Sequence, residues 1–319
     1  MNRQKFDQLV STFVTTLDKN DNPLQMNSFG IKHNGNCFIH RFNRHNEPSD
    51  IRSLSKTVMA LVTGKVIELS QKGLYSYFNT DTLIFPVIEK KVNLTNQDNL
   101  EFLKKIRVKH LLTHTIGYDR RLLMRKDILD IDPSDYLDYV INYPIKYEPG
   151  EKYLYSNAGF YLLSVVLQEF LNEDLFDFIE RELFKPLEIK NAFWVKYGNY
   201  LAGATRLWLQ PEDLIKIGEL LLHRGNYRNK QILPESWIDK MTGIKVINTD
   251  SDSVMRKHLL YYAYGYGIWI GKEKLYFASG TDGQYIVVIP EKNSIIITQA
   301  TQKDTEPIRQ IIDEIIENL

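Results

Sequence analysis

The period of the apolar positions changes along the chain. Residues 4–17 place Phe6, Leu9, Val10, Phe13, Val14 and Leu17 at helical spacing, which predicts an amphipathic helix. Residues 28–42 alternate around Asn34-Gly35, a dipeptide suited to a tight hairpin turn. A helix is predicted to begin near Ser53, carrying Val58, Leu61, Val62, Val66 and Leu69 on one side, with Gly73 just past its end. From 100 to 250 the chain reads as largely helical, broken at Pro133, Pro144, Pro149-Gly150, Pro186 and Pro211; residues 211–222 form a short helix led by proline. After Tyr261 the character becomes β-branched and aromatic. Strands are predicted at 264–272, 274–279, 284–290 and 294–299, followed by a helix with Ile308, Ile311, Ile312, Ile315 and Ile316 on one face.

Strands near both termini with helices between them predict an α+β architecture: an antiparallel sheet assembled from the two ends, flanked by helices, with a helical insertion. The expected division is one catalytic unit over 1–319, with a sheet subdomain of about 1–60 plus 255–319 and a mostly helical subdomain of about 61–254.

Composition narrows the function classes. With 43% hydrophobic residues the 319-residue chain can bury a large core, so disorder is not expected. Lysine plus arginine equals aspartate plus glutamate, 40 each, which lacks the basic footprint of a nucleic-acid binder. Cys37 stands alone, so no internal disulfide can form. No apolar run of 18 residues predicts a membrane span, and the N-terminus lacks the apolar stretch of a secretory signal. A soluble, cytoplasmic protein is expected; oligomeric state is not legible.

Three short segments carry candidate chemistry. Ser53-Leu54-Ser55-Lys56 places a hydroxyl and an amine one turn apart, on the same face of a helix N-terminus. A desolvated lysine there can handle the proton of a serine nucleophile. In Tyr155-Ser156-Asn157 the phenol can serve as acid or base, and the amide can bond a substrate carbonyl. Ala278-Ser279-Gly280-Thr281 ends a predicted strand, whose backbone N–H could complete an oxyanion hole with that of Ser53. Taken singly, each segment has a plainer meaning: an N-cap, a packed loop tyrosine, a strand exit.

Jointly and in this order, they resemble the serine β-lactamase and penicillin-binding-protein superfamily, on the side of class C β-lactamase-like esterases and peptidases. Ser53 and Lys56 match its Ser-x-x-Lys, and Tyr155 and Asn157 its Tyr-x-Asn. Residues Leu111-Leu112-Thr113-His114-Thr115-Ile116-Gly117, Glu148-Pro149-Gly150 and Pro211-Glu212-Asp213-Leu214 also resemble family segments. The resemblance implies a β-lactamase/transpeptidase-like fold and a serine hydrolase working through an acyl-enzyme, without cofactor or metal, on a small ester, amide or peptide. Ser53, Lys56 and Tyr155 would be catalytic; Asn157, Ser279, Gly280 and Thr281 would bind substrate or the oxyanion. Ala278 stands where the family usually has a lysine or histidine, which implies esterase-like activity with little or no β-lactam turnover. The rivals are a D-amino-acid peptidase or amidase and a non-catalytic acyl-binding sensor.

Other patterns are weaker. His110 and His114 have metal-like spacing, but no third ligand follows at a defined interval. His33, Cys37 and His40 fall on a predicted hairpin. Gly265-Tyr266-Gly267 lacks the helix that a dinucleotide site requires. The aromatic group Tyr261, Tyr262, Tyr264, Tyr266 and Trp269 could line a cleft or only pack a strand.

Overall fold

A computed structural model describes residues 1–43, 47–248 and 258–319. The expected boundary at 254/255 lies outside the described residues. Eight antiparallel strands form the main sheet: β1 (Met26–His33), β2 (Asn36–Arg41), β3 (Val246–Ile247), β4 (Ala263–Tyr264), β5 (Trp269–Ile270), β6 (Tyr276–Gly280), β7 (Gln284–Ile289) and β8 (Ser294–Ala300). Their order is β3-β4-β5-β6-β7-β8-β1-β2, so the N-terminal hairpin closes one edge against β8, near the C-terminus. Asn34 and Gly35 both take positive φ at the β1–β2 turn, as that tight connection requires.

Alternation along β8 shows why the sheet is buried on both faces. Ile296 joins an apolar layer with Phe277, Tyr285 and Val287, covered by the terminal helices α1 (Arg3–Thr15) and α7 (Glu306–Asn318). Ile295 and Ile297 point the other way, into a larger core shared with the internal helices. Each such aliphatic side chain contributes roughly 1.5–3 kcal/mol on burial. All five isoleucines predicted on the last helix are buried. On α1 the prediction ran long: the helix ends at Thr15, Phe6 and Phe13 are buried, and Val14 is exposed.

The internal helices that matter for the site are α2 (Ser55–Gln71), α3 (Val108–Leu112), α4 (Ala158–Leu171), α5 (Pro211–Leu222) and α6 (Glu235–Thr242). Gly73 ends α2 with φ +77°; its N–H bonds Ser70 O and the next N–H bonds Leu69 O, the double closure expected of a glycine there. Between 100 and 250 the chain is less helical than predicted. Short strands at Phe193–Trp194 and Leu207–Leu209 pair into a small sheet with Ser49–Asp50. Apolar runs this short do not distinguish strand from helix by periodicity.

The strand predicted over 264–272 is two strands joined by a turn at Gly265–Gly267. Gly267 has φ +70°, and a Cβ there would lie 2.8 Å from Ala60 Cβ and 2.9 Å from Lys56 O. The turn therefore presses directly on α2. Thr57 Oγ1 donates to Gly267 O at 2.7 Å, and Gly267 N–H donates to Leu112 O at 3.2 Å. Glycine allows both the conformation and the approach.

Candidate active site

Ser53 does not open the α-helix, as its sequence position suggested, but lies in a 3₁₀ turn, Arg52–Leu54, immediately ahead of α2. It is not a capping serine: no side-chain cap bond forms at that helix start. The neighbouring hydroxyl is structurally occupied, since Ser55 Oγ donates to Arg52 O at 2.6 Å and accepts from Leu207 N–H at 3.4 Å.

Arg52 sets the turn. Its φ of +53° lies in the left-handed region, unusual for a side chain of this size. Its backbone N–H donates to Asp50 Oδ1 at 2.9 Å, and its guanidinium bridges Asp50 Oδ2 at 2.6 Å and Asp282 Oδ2 at 3.1 Å. Asp50 belongs to the small sheet and Asp282 to the β6–β7 turn, so one arginine joins three segments. The end of β6 also packs tightly here: a Cβ on Gly280 would come within 2.9 Å of both Ile51 O and Arg52 Cβ. Ser279, Gly280 and Thr281 are thereby brought beside the turn that holds Ser53. Neither Arg52 nor Asp50 carried a recognisable sequence signal, because the bridge exists only once three distant segments meet.

Lys56 is almost wholly buried, at 1% exposure. Its Nζ lies 3.0 Å from Ser53 Oγ, 2.8 Å from Asn157 Oδ1 and 3.1 Å from Ala204 O. Burial lowers its pKa to about 7, because the charged amine has lost its hydration. Asn157 Nδ2 donates to Leu123 O at 2.8 Å, which fixes the amide with its oxygen toward Lys56. Both polar ends of Asn157 thus engage the protein: Oδ1 holds the lysine and one of the two Nδ2 hydrogens is bound to Leu123 O.

Tyr155 completes the group. Its ring lies 4.8 Å from Lys56 Nζ and stacks on Trp269 with centroids 5.7 Å apart. Burial raises its pKa to about 12, against the opposing effect of a hydrogen bond with Ser53. The phenol therefore stays protonated where the lysine has already lost its proton. His114 packs on the other side of Tyr155, ring centroids 4.5 Å apart, and its Nδ1 accepts from Ser156 N–H at 3.4 Å. Burial first, and the charge of Lys56 second, hold this imidazole neutral. Its partner at metal-like spacing, His110, accepts from Arg107 N–H at 3.1 Å. Among the described residues no group of three metal-ligating side chains assembles.

On the third segment Ala278 is buried and supplies no charge. Ser279 Oγ and Tyr261 Oη lie 2.7 Å apart in a hydrogen bond, and Tyr261 continues to Tyr285 at 3.2 Å. The aromatic group read from the sequence thus divides. Trp269 backs Tyr155, Tyr261 engages Ser279, Tyr264 packs beside His114, Tyr266 stacks on Trp237, and Tyr262 is exposed.

Comparison with known proteins places the chain in a family. The Beta-lactamase family model matches residues 40–318, and the chain belongs to that family. An N-acetylmuramyl-L-alanine amidase of Bacillus subtilis is 31% identical over 151 residues, covering 33% of this chain and 34% of the amidase, so the chain spans about a third of that relative's length. A putative beta-lactamase from Bacteroides dorei superposes with a TM-score of 0.74 at 14% identity, over 99% of each chain. EstCE1, a hydrolase with promiscuous acyltransferase activity, superposes with a TM-score of 0.72 at 14% identity, over 97% of this chain and 99% of its own. At those identities the likeness is one of fold. Among the described residues no helix is long and apolar enough to cross a membrane.

Proposed function

We propose that the protein is a serine hydrolase acting through an acyl-enzyme on an ester or amide bond. The observation that carries this reading is the set of bonds around Lys56 Nζ. Asn157 Oδ1 and Ala204 O can only accept, so they take two amine hydrogens. A neutral amine then has one lone pair left, and the remaining contact is Ser53 Oγ at 3.0 Å. With a pKa near 7, the amine is free to take the serine proton at neutral pH.

The chemistry follows from these positions. Ser53 Oγ forms a bond to the carbonyl carbon as its proton passes to Lys56. The oxyanion is stabilised by the backbone N–H groups of Ser53 and Thr281. As the carbon–oxygen or carbon–nitrogen bond breaks, Tyr155, protonated because its pKa is raised, gives its proton to the leaving group and is reprotonated through Lys56. Water then attacks the acyl-enzyme, losing a proton to the same pair and releasing Ser53. Asn157 holds Lys56, and Ser279 faces the substrate from the strand.

Ala278 leaves β6 without the cation that would hold a β-lactam carboxylate, which favours esters over β-lactams. The test is intact-mass spectrometry after exposure to a fluorophosphonate, with turnover of short p-nitrophenyl esters measured alongside. One adduct, abolished by Ser53→Ala, and ester turnover exceeding cephalosporin turnover are expected. No adduct, or one surviving Ser53→Ala, overturns the assignment; a stable adduct without turnover makes the protein an acyl-binding one.

A further inference from the structure

Resting on the hydrolase reading above, we propose that His114 is the positioning residue of Tyr155, holding the phenol where it can protonate a leaving group. It thereby decides whether esters and amides with strongly basic leaving groups are cleaved. Tyr155 is bracketed by this one residue. Leu154 N–H, ahead of it, donates to His114 O at 2.9 Å, and Ser156 N–H, behind it, donates to His114 Nδ1 at 3.4 Å. The phenol ring lies between the imidazole, with centroids 4.5 Å apart, and Trp269, with centroids 5.7 Å apart. The loop that carries His114 is itself fixed. His114 follows α3 with φ +57°, and Thr115 N–H donates to His110 O at 2.9 Å. Gly150 N–H donates to Thr115 O at 2.8 Å, and the N–H groups of Lys146 and Tyr147 converge on Gly117 O at 2.9 and 3.0 Å.

Packing alone does not explain a histidine here. Ser156 N–H can only donate, so Nδ1 carries no proton and the neutral ring bears it on Nε2. His114 is 3% exposed, and its Nε2 has no hydrogen-bond partner among the described residues. Around the ring stand Tyr153, Tyr155, Phe160 and Tyr264, all aromatic. A leucine or phenylalanine would fill such a place without burying a polar N–H that nothing accepts. Among the described residues, the one hydrogen bond the imidazole makes is with the peptide that follows Tyr155, so that bond is what this residue type supplies. In the reading above, the Tyr155 proton passes to the departing oxygen or nitrogen as its bond to the carbonyl carbon breaks. Lys56 then returns to Tyr155 the proton it took from Ser53. A strongly basic alkoxide or amide needs that proton, whereas p-nitrophenolate departs without it. The placing of the phenol therefore counts for more as the leaving group becomes more basic.

The test compares kcat/KM for p-nitrophenyl acetate and ethyl acetate, which share an acyl group and differ in the leaving group. It is run on the wild type, on Tyr155→Phe and on two variants of the histidine. His114→Phe keeps a ring but has no acceptor; His114→Asn keeps an acceptor close to Nδ1 and tolerates positive φ. The ratio of kcat/KM, p-nitrophenyl over ethyl, is expected to rise about tenfold in His114→Phe and to stay within about threefold of wild type in His114→Asn. It should rise most in Tyr155→Phe, and adding His114→Phe to that variant should change it no further, because the effect runs through the phenol. An unchanged ratio in His114→Phe, or an equal loss on both esters, makes the histidine merely structural and overturns the proposal. A ratio in His114→Asn that matches Tyr155→Phe also overturns it, and that comparison decides the matter where His114→Phe does not fold. A further rise in the double variant overturns it as well. A wild type that cleaves p-nitrophenyl acetate but not ethyl acetate overturns the proposal and leaves the hydrolase reading intact. A wild type that turns over neither ester and forms no fluorophosphonate adduct on Ser53 overturns the hydrolase reading and this inference with it.

Discussion

Asn157 Oδ1 accepts a hydrogen bond from Lys56 Nζ at 2.8 Å while the amide's other end is tied to Leu123 O. A neutral acceptor, fixed in orientation, holds a buried amine without charging it. This is what permits a lysine with a pKa near 7 at the centre of the site. Replacing that acceptor by a carboxylate should undo it. In Asn157→Asp, the anion beside the amine favours the ammonium form and raises its pKa, so the acid limb of the kcat/KM profile should move up by about one unit or more. A pH–rate profile checks this, and a limb that stays in place contradicts it.

Lys56 should also leave a signature in stability. Its folded pKa, about 7, lies below the ordinary lysine value of 10.5. Between those values the unfolded chain binds the proton and the folded one does not, so stability rises with pH across that window. Relative to Lys56→Met, which cannot titrate, the wild type should gain on the order of 1 kcal/mol per pH unit from pH 7 upward. Urea denaturation of both proteins from pH 7 to 9.5 measures the difference. A gap that narrows in the opposite sense would show the amine to be charged in the fold.

Arg52 should matter to rate more than to fold. Removing it in Arg52→Ala frees Asp282 and the β6–β7 turn, and leaves Asp50 half-paired. Displacing donors from the serine by a fraction of an ångström is expected to cost about tenfold or more in kcat. Asp282→Asn, which keeps a hydrogen bond but loses the charge, should lie between the wild type and Arg52→Ala. Steady-state kinetics with melting curves separate the two effects.

Gly267→Ala tests the contact that braces α2. The added carbon would meet Ala60 Cβ and Lys56 O in a backbone conformation that favours glycine. Overpacking of this kind costs about 1–3 kcal/mol, so a lowered melting temperature and reduced ester turnover are expected together. Unchanged melting would mean that the turn yields freely.

Much of the architecture is legible because it depends on local pattern. The isoleucine stripe of α7, the Asn34-Gly35 turn and the glycine closing α2 are decided by neighbours within a few residues. Ser53, Lys56 and Tyr155 could be singled out because their residue types and order narrow the chemistry. Less legible were the short strands around Leu207 and the break at Gly265–Gly267, where the apolar residues suit several structures and only packing against α2 chooses one.

By itself, the sequence determined an α+β chain with a serine–lysine pair, a tyrosine downstream and no cation at Ala278. Periodicity and residue chemistry are enough for that, since both act over a turn or two of chain. Tertiary structure decided the rest. It tied Asn157 Oδ1 to the lysine and joined Arg52 to Asp50 and Asp282. These are contacts across long sequence separations, and the pKa of Lys56 is set by the burial they create, not by its neighbours in the chain.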